Sequence, residues 1–216
     1  KPRSRMTRST RLRFTTNDSE LLWRVGVASE FFMLMCTVAL ALIFYVLLRP
    51  VSRDLALLAV LFNLVSIALE AGNELNLLAT LFPLSNADYL RVLAPEQLHA
   101  LSYLHIRSYA YGFGASLIFF GCECLVLGHL IFRSGYLPKV LGVLMQIAGL
   151  SYLTNSFALI LSPSLADRLF PAILLPAFVG EASLCLWLLA KGVNVSKWKA
   201  RASAKPAPSA LSGALK

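Results

Sequence analysis

Charge is scarce in this sequence, and motifs that carry chemistry are scarcer. Of 216 residues only 14% are charged, 57% are hydrophobic, and the mean hydropathy is +0.68. Soluble domains run at about 25% charged and about 45–50% apolar, so this composition excludes an ordinary soluble domain. No HExxH, no GxSxG and no Gly-rich phosphate loop occurs, which removes the enzyme classes those motifs announce. A lysine deep in an apolar run, the attachment point of a retinal Schiff base, is also missing. There is no apolar segment near the N-terminus of the kind a signal peptide uses. Cysteine is sparse: Cys36, Cys122, Cys124 and Cys185 all lie inside apolar runs and read as small hydrophobes, not as a disulfide framework. Cys122 and Cys124 are two apart, so on a helix their sulfurs diverge and make a poor ion site. The sequence names no cofactor and no metal.

What the chain does have is long apolar runs. Five of them, Leu21–Leu48, Leu55–Phe82, His105–Phe132, Val140–Leu161 and Leu169–Ala190, each reach the roughly 20 residues that cross a bilayer as a helix. The expected fold is an all-α integral membrane protein, an antiparallel bundle of about five transmembrane helices. Residues 18–192 form the bundle, 1–17 a basic flexible tail, and 193–216 a disordered basic tail rich in Ala, Lys, Ser and Pro. Short turns at Arg49–Asp54 and Arg133–Lys139 make consecutive helices antiparallel neighbours. Pro95-Glu96-Gln97 opens the third helix, with proline in its first turn. Pro171 and Pro176 kink the fifth helix or delay its start.

The net charge of +9 is concentrated at the ends of the chain. Lys1, Arg3, Arg5, Arg8, Arg11 and Arg13 crowd one tail, and Lys191, Lys197, Lys199, Arg201, Lys205 and Lys216 the other. Beside membrane helices such clusters meet anionic lipid headgroups, so the expected partners are the bilayer and those headgroups, and not nucleic acid. One set of turns holds Arg49, Arg53, Arg133 and Lys139, which puts that face and the C-terminus in the cytoplasm. The same topology leaves the basic N-terminal tail outside, an arrangement that charge alone does not explain.

Two turns with their flanks carry a family likeness. They are Tyr45-Val46-Leu47-Leu48-Arg49-Pro50-Val51-Ser52-Arg53-Asp54-Leu55-Ala56 and Leu130-Ile131-Phe132-Arg133-Ser134-Gly135-Tyr136-Leu137-Pro138-Lys139-Val140-Leu141-Gly142. With Gly180-Glu181-Ala182-Ser183-Leu184-Cys185-Leu186-Trp187-Leu188-Leu189, they resemble the bacterial membrane family known as domain of unknown function 4386, from about Leu22 to Gly192. The resemblance implies a helical membrane fold and no chemistry, and with it a location in the bacterial inner membrane. Members usually begin with a further apolar helix, which would lie upstream of this sequence or be lost in a shortened form starting near Met6.

The most informative residues are carboxylates within the apolar runs, where a charge costs a few kcal/mol or more. Helix two carries Asn63, Ser66, Glu70, Asn73 and Glu74 in steps of three and four, and helix three carries His105, Tyr109, Gly112, Ser116 and Glu123. Such stripes face protein or water, since lipid satisfies neither. Glu70, Asn73, Glu74, Glu123 and Glu181 are the candidate ligand- or ion-binding residues, with Glu30, His105 and Tyr109 secondary, and the carboxylates are expected to converge. The leading reading is a carrier or binding protein with an acidic intramembrane site for a small or lipidic ligand, a cation or a proton. An accessory subunit of a larger membrane complex is the alternative, and an intramembrane enzyme using paired carboxylates the third. The bland reading of Asn63, Ser66, Ser116, Gln146 and Asn155 is interhelical packing, worth about 0.6 kcal/mol per hydrogen bond.

Overall fold

A computed structural model describes residues 8–83, 85 and 92–204, with side chains from Glu20 onward. All regular structure among these residues is helical: α1 Arg8–Leu48, α2 Arg53–Ala79, α3 Pro95–Ser134, α4 Lys139–Leu161, α5 Pro163–Leu169, α6 Leu175–Ala190 and α7 Val195–Ser203, with a 3₁₀ turn at Ala172–Leu174 before α6. Among the described residues five segments are long and apolar enough to cross a membrane: Glu20–Leu48, Arg53–Ala79, Pro95–Ser134, Lys139–Leu161 and Ala172–Ala190. At 1.5 Å per residue, the 40 residues of α3 extend to about 60 Å, twice the hydrocarbon thickness. Its polar N-terminal turns account for the excess.

Local chemistry sets the helix ends. Pro50 has no N–H to continue α1, and the Val51 N–H turns back to the Leu48 carbonyl at 2.9 Å. At the start of α3, Gln97 Oε1 accepts from the Ala94 N–H at 2.9 Å, with Pro95 in the first turn. Between α3 and α4, Gly135 takes φ +76°, a conformation other residues rarely adopt, and Ser134 Oγ accepts from the Leu137 N–H at 3.2 Å.

The chain divides into two compact units, Lys1–Cys36 with Ala71–Ala110, and Thr37–Glu70 with Tyr111–Lys216. In the first, Trp23 Nε1 donates to the Leu77 carbonyl at 2.9 Å, and Asn73 Nδ2 to the Tyr109 carbonyl at 3.0 Å, tying α1 to α2 and α2 to α3. In the second, Leu130 and Ile131 of α3 are fully buried in a core with Leu48, Leu127, Leu141, Met145 and Leu184. Glycines let α3 and α4 touch backbone to backbone. A Cβ on Gly142 would lie 2.6 Å from the Gly128 carbonyl, and one on Gly149 2.6 Å from the Gly121 carbonyl. These pairs are seven residues apart on each helix, so one antiparallel seam repeats the contact every two turns. On its other side α4 meets α6, where a Cβ on Gly180 would lie 2.8 Å from the Leu144 carbonyl.

Three elements depart from the sequence reading. Helix α2 stops at Ala79 instead of near Phe82, and a short helix α5 precedes the fifth apolar run, whose helix α6 starts late at Leu175 as its prolines imply. Helix α1 already starts at Arg8, inside the stretch expected to be a flexible tail. The C-terminal expectation is corrected most: residues 195–203 form α7, capped by Asn194 Oδ1 on the Lys197 N–H at 3.0 Å. Polar composition predicts disorder only where no partner exists. Here Trp198 Nε1 donates to the Leu47 carbonyl at 3.0 Å, and Arg201 Nη1 to the Ser134 carbonyl at 3.3 Å. Residues 1–7 and 205–216 of the expected tails lie outside the described residues.

Candidate functional site

Within the second unit, α2 offers α3 a stripe of Ala56, Ala59, Asn63, Ser66 and Glu70, spaced three and four apart. The two alanines allow close approach, and the polar residues beyond them need partners that lipid lacks. Asn63 Nδ2 donates to Glu123 Oε2 at 2.7 Å, and both residues are buried. Ser66 Oγ donates to the Ser116 carbonyl at 3.0 Å. Ser116 Oγ lies 2.6 Å from Glu70 Oε2 and 2.8 Å from the Phe113 carbonyl, one hydroxyl proton between two acceptors. Seven residues separate Asn63 from Glu70, about 10 Å along α2, so these are successive polar contacts and not one ligand shell.

Glu181 approaches from α6. Its Oε1 accepts from the Tyr152 hydroxyl at 2.6 Å, and the Tyr152 ring is packed edge-on against Phe120 with centroids 5.4 Å apart. Phe120 stands one helical turn before Glu123 on α3, so the Tyr152–Glu181 pair packs against the same helix that carries Glu123. Glu123 also lines a small cavity with Ala41, Tyr45, Ala56 and Leu127, enclosed by α1, α2 and α3. Its volume is about 10 Å³, room for a single water. The Asn63 Oδ1 atom is buried and without a hydrogen-bond partner among the described residues.

The structure therefore places Glu123 and Glu70 on one α2–α3 seam, while Glu181 is held from α4 by Tyr152, whose ring packs on Phe120 of α3. Glu74 and Asn73 belong to the first unit, where Glu74 is wholly buried and Asn73 also accepts from Asn76 Nδ2 at 3.1 Å. Tyr109 contributes its carbonyl there, and Glu30 and His105 are half-buried in the same unit. Tyr152 is the residue that sequence reasoning passed over. A lone tyrosine in an apolar helix reads as packing, although a hydroxyl within the bilayer must find an acceptor. Among the described residues no three His, Cys, Asp or Glu side chains are grouped to hold a metal ion.

With this geometry in place, comparison with known proteins finds one family, described as Domain of unknown function (DUF4386), matching residues 8–192. An uncharacterized protein of Archaeoglobus fulgidus is 28% identical over 173 residues, 80% of this chain and 86% of that protein. No solved structure matches.

Proposed function

Because the chain belongs to the DUF4386 family, whose members bring no assigned chemistry, we propose its function from the site: a membrane binding or carrier protein whose acidic core holds a proton. The observation that carries this reading is the buried Glu123 carboxyl, held by Asn63 and lining a cavity with room for one water. A lipidic or organic ligand does not fit such a space. A carboxylate in a layer of low dielectric does not stay ionised without a cation, and a proton neutralises it without the several oxygen ligands that a metal ion needs. Asn63 suits the task. Its amide donates to an ionised Glu123 and, turned over, accepts from a protonated one, so the hydrogen bond survives either state. On this proposal Glu123 carries the proton, Asn63 follows it, and Tyr152 holds Glu181 in place. The turns with Arg49, Arg53, Arg133 and Lys139 and the C-terminal segment face the cytoplasm of a cytoplasmic-membrane protein.

Infrared difference spectra of the purified protein between acid and alkaline buffer test the reading. A protonated-carboxyl band present in the native protein and absent from Glu123→Gln supports it, as does proton flux into liposomes lost in that variant. Identical spectra and identical flux for native and Glu123→Gln protein overturn it.

A second reading, an accessory subunit, draws on α1. Its buried positions Val27, Leu34, Ala41 and Leu48 recur every seven residues, while Leu22, Val25, Phe32, Met35 and Leu42 stay exposed. Gly26 and Ser29 lie on that exposed surface, and nothing approaches within 4 Å of a Cβ on Gly26. Small residues of this kind let a partner helix pack closely. Stable co-purification of another membrane protein, lost in Gly26→Leu, would favour this reading over the first.

A further inference from the structure

The end of the second unit that carries α7 holds an unusual density of positive charge. Arg49, Arg53, Arg133, Lys139, Lys191, Lys197, Lys199 and Arg201 gather there, and Asp54 is the acid among the same segments. Two hydrogen bonds to the Leu47 carbonyl define this end: Tyr136 OH donates at 2.6 Å and Trp198 Nε1 at 3.0 Å. The Asn194 N–H reaches the Tyr136 carbonyl at 3.3 Å, so the α3–α4 turn and the α6–α7 joint are fastened together. Between them opens a crevice of about 450 Å³, lined by Gly135, Tyr136, Trp187, Lys191, Asn194 and Lys197. No acid lines it, and neither lysine is paired with a carboxylate among the described residues.

We propose that this crevice seats the phosphate of an anionic phospholipid headgroup between Lys191 and Lys197. The chemistry is that of a phosphate monoanion met by two ammonium groups, and the surroundings select a lipid as its source. Trp187 and Trp198 are amphipathic rings of the kind that sit at the membrane–water boundary. Leu186 and Leu189, on the last turns of α6 before Lys191, are 65% and 80% exposed. They supply the apolar wall along which acyl chains descend from a headgroup held at the crevice. Helix α7 has its tryptophan facing the bundle and Lys197 and Lys199 exposed, as an interfacial helix does. Basic pockets between helix ends are a known form of headgroup recognition, and free phosphate gains nothing from the leucines.

Titration of the full chain in neutral detergent with dihexanoyl phosphatidylglycerol, dihexanoyl phosphatidylcholine and inorganic phosphate tests the site, read by tryptophan fluorescence and thermal midpoint. Saturable binding of phosphatidylglycerol is expected, with far weaker responses to the other two probes. Lys191→Gln with Lys197→Gln should weaken it about 30-fold, the loss expected of two lysines at an anionic surface. Lys191→Arg with Lys197→Arg should retain binding, which separates lost charge from lost folding. Arg53→Gln with Lys199→Gln removes the same charge from the same end outside the crevice and should leave the affinity within about threefold. Equal weakening by that pair shows diffuse attraction and overturns the site. Equal binding of inorganic phosphate makes it a free-anion site and overturns the lipid assignment, as does the absence of saturable phosphatidylglycerol binding.

Discussion

Single residues in this protein matter through the partners they satisfy. Asn63 is the donor that Glu123 holds inside the bundle, so Asn63→Leu should cost roughly 1–3 kcal/mol by stranding a buried carboxyl. Asn63→Leu with Glu123→Leu removes both partners and should recover most of that loss, measured by thermal unfolding in detergent. Outside the spans, burial pushes the Tyr136 phenol up to about 12, with the Arg201 guanidinium pulling against it. The folded state therefore holds this proton more tightly than the unfolded chain, whose phenol titrates at about 10. That stabilisation is present below pH about 10 and is lost as the pH rises toward about 12. Absorbance of tyrosinate should show one late step missing from Tyr136→Phe and moved upward in Arg201→Gln. Of these residues Glu123 was legible from sequence, because a carboxylate amid apolar residues stands out. Tyr152 was not, since its partner Glu181 is 29 residues away and only the packing of α4 on α6 joins them.

At the scale of elements, glycines that look alike in sequence separate into two kinds. Gly128, Gly142, Gly121 and Gly149 hold α3 and α4 at backbone contact, and an added methyl would strike a carbonyl oxygen. Gly142→Ala should therefore lower stability by about 1–3 kcal/mol, through overpacking that only helix separation relieves. Gly72→Ala faces nothing within 4 Å and should be neutral or raise stability by up to about 1 kcal/mol through helix propensity. Paired thermal melts of the two variants check the contrast. The apolar spans and the turns between them were readable from apolar runs, proline and glycine, although the helix ends at Arg8 and Ala79 were not. The α3–α4 seam was not, because spacing by seven says nothing about which helix lies opposite.

For the whole molecule, the return of α7 to the carbonyl of Leu47 joins two stretches of chain 151 residues apart. It holds the Arg49–Asp54 turn and α7 at one end of the second unit. Arg53→Cys and Ser196→Cys should therefore be labelled by an impermeant thiol reagent from the same side, the cytoplasmic one if the basic turns orient the bundle. Labelling of the two positions from opposite sides would contradict the docking of α7.

By itself the sequence determined an all-helical membrane chain and the positions of its five spans, because crossing a bilayer requires long apolar runs and each run is a local property. It also singled out the intramembrane carboxylates, since their cost in lipid is independent of the fold. Only tertiary structure decided what each of them meets. Glu123 takes Asn63 of α2, and Glu181 takes Tyr152 because α4 packs on α6 at Gly180, whereas Glu74 is buried in the other unit. Tertiary structure likewise turned a polar tail into α7, because the acceptors that order it, the Leu47 and Ser134 carbonyls, lie far away in sequence.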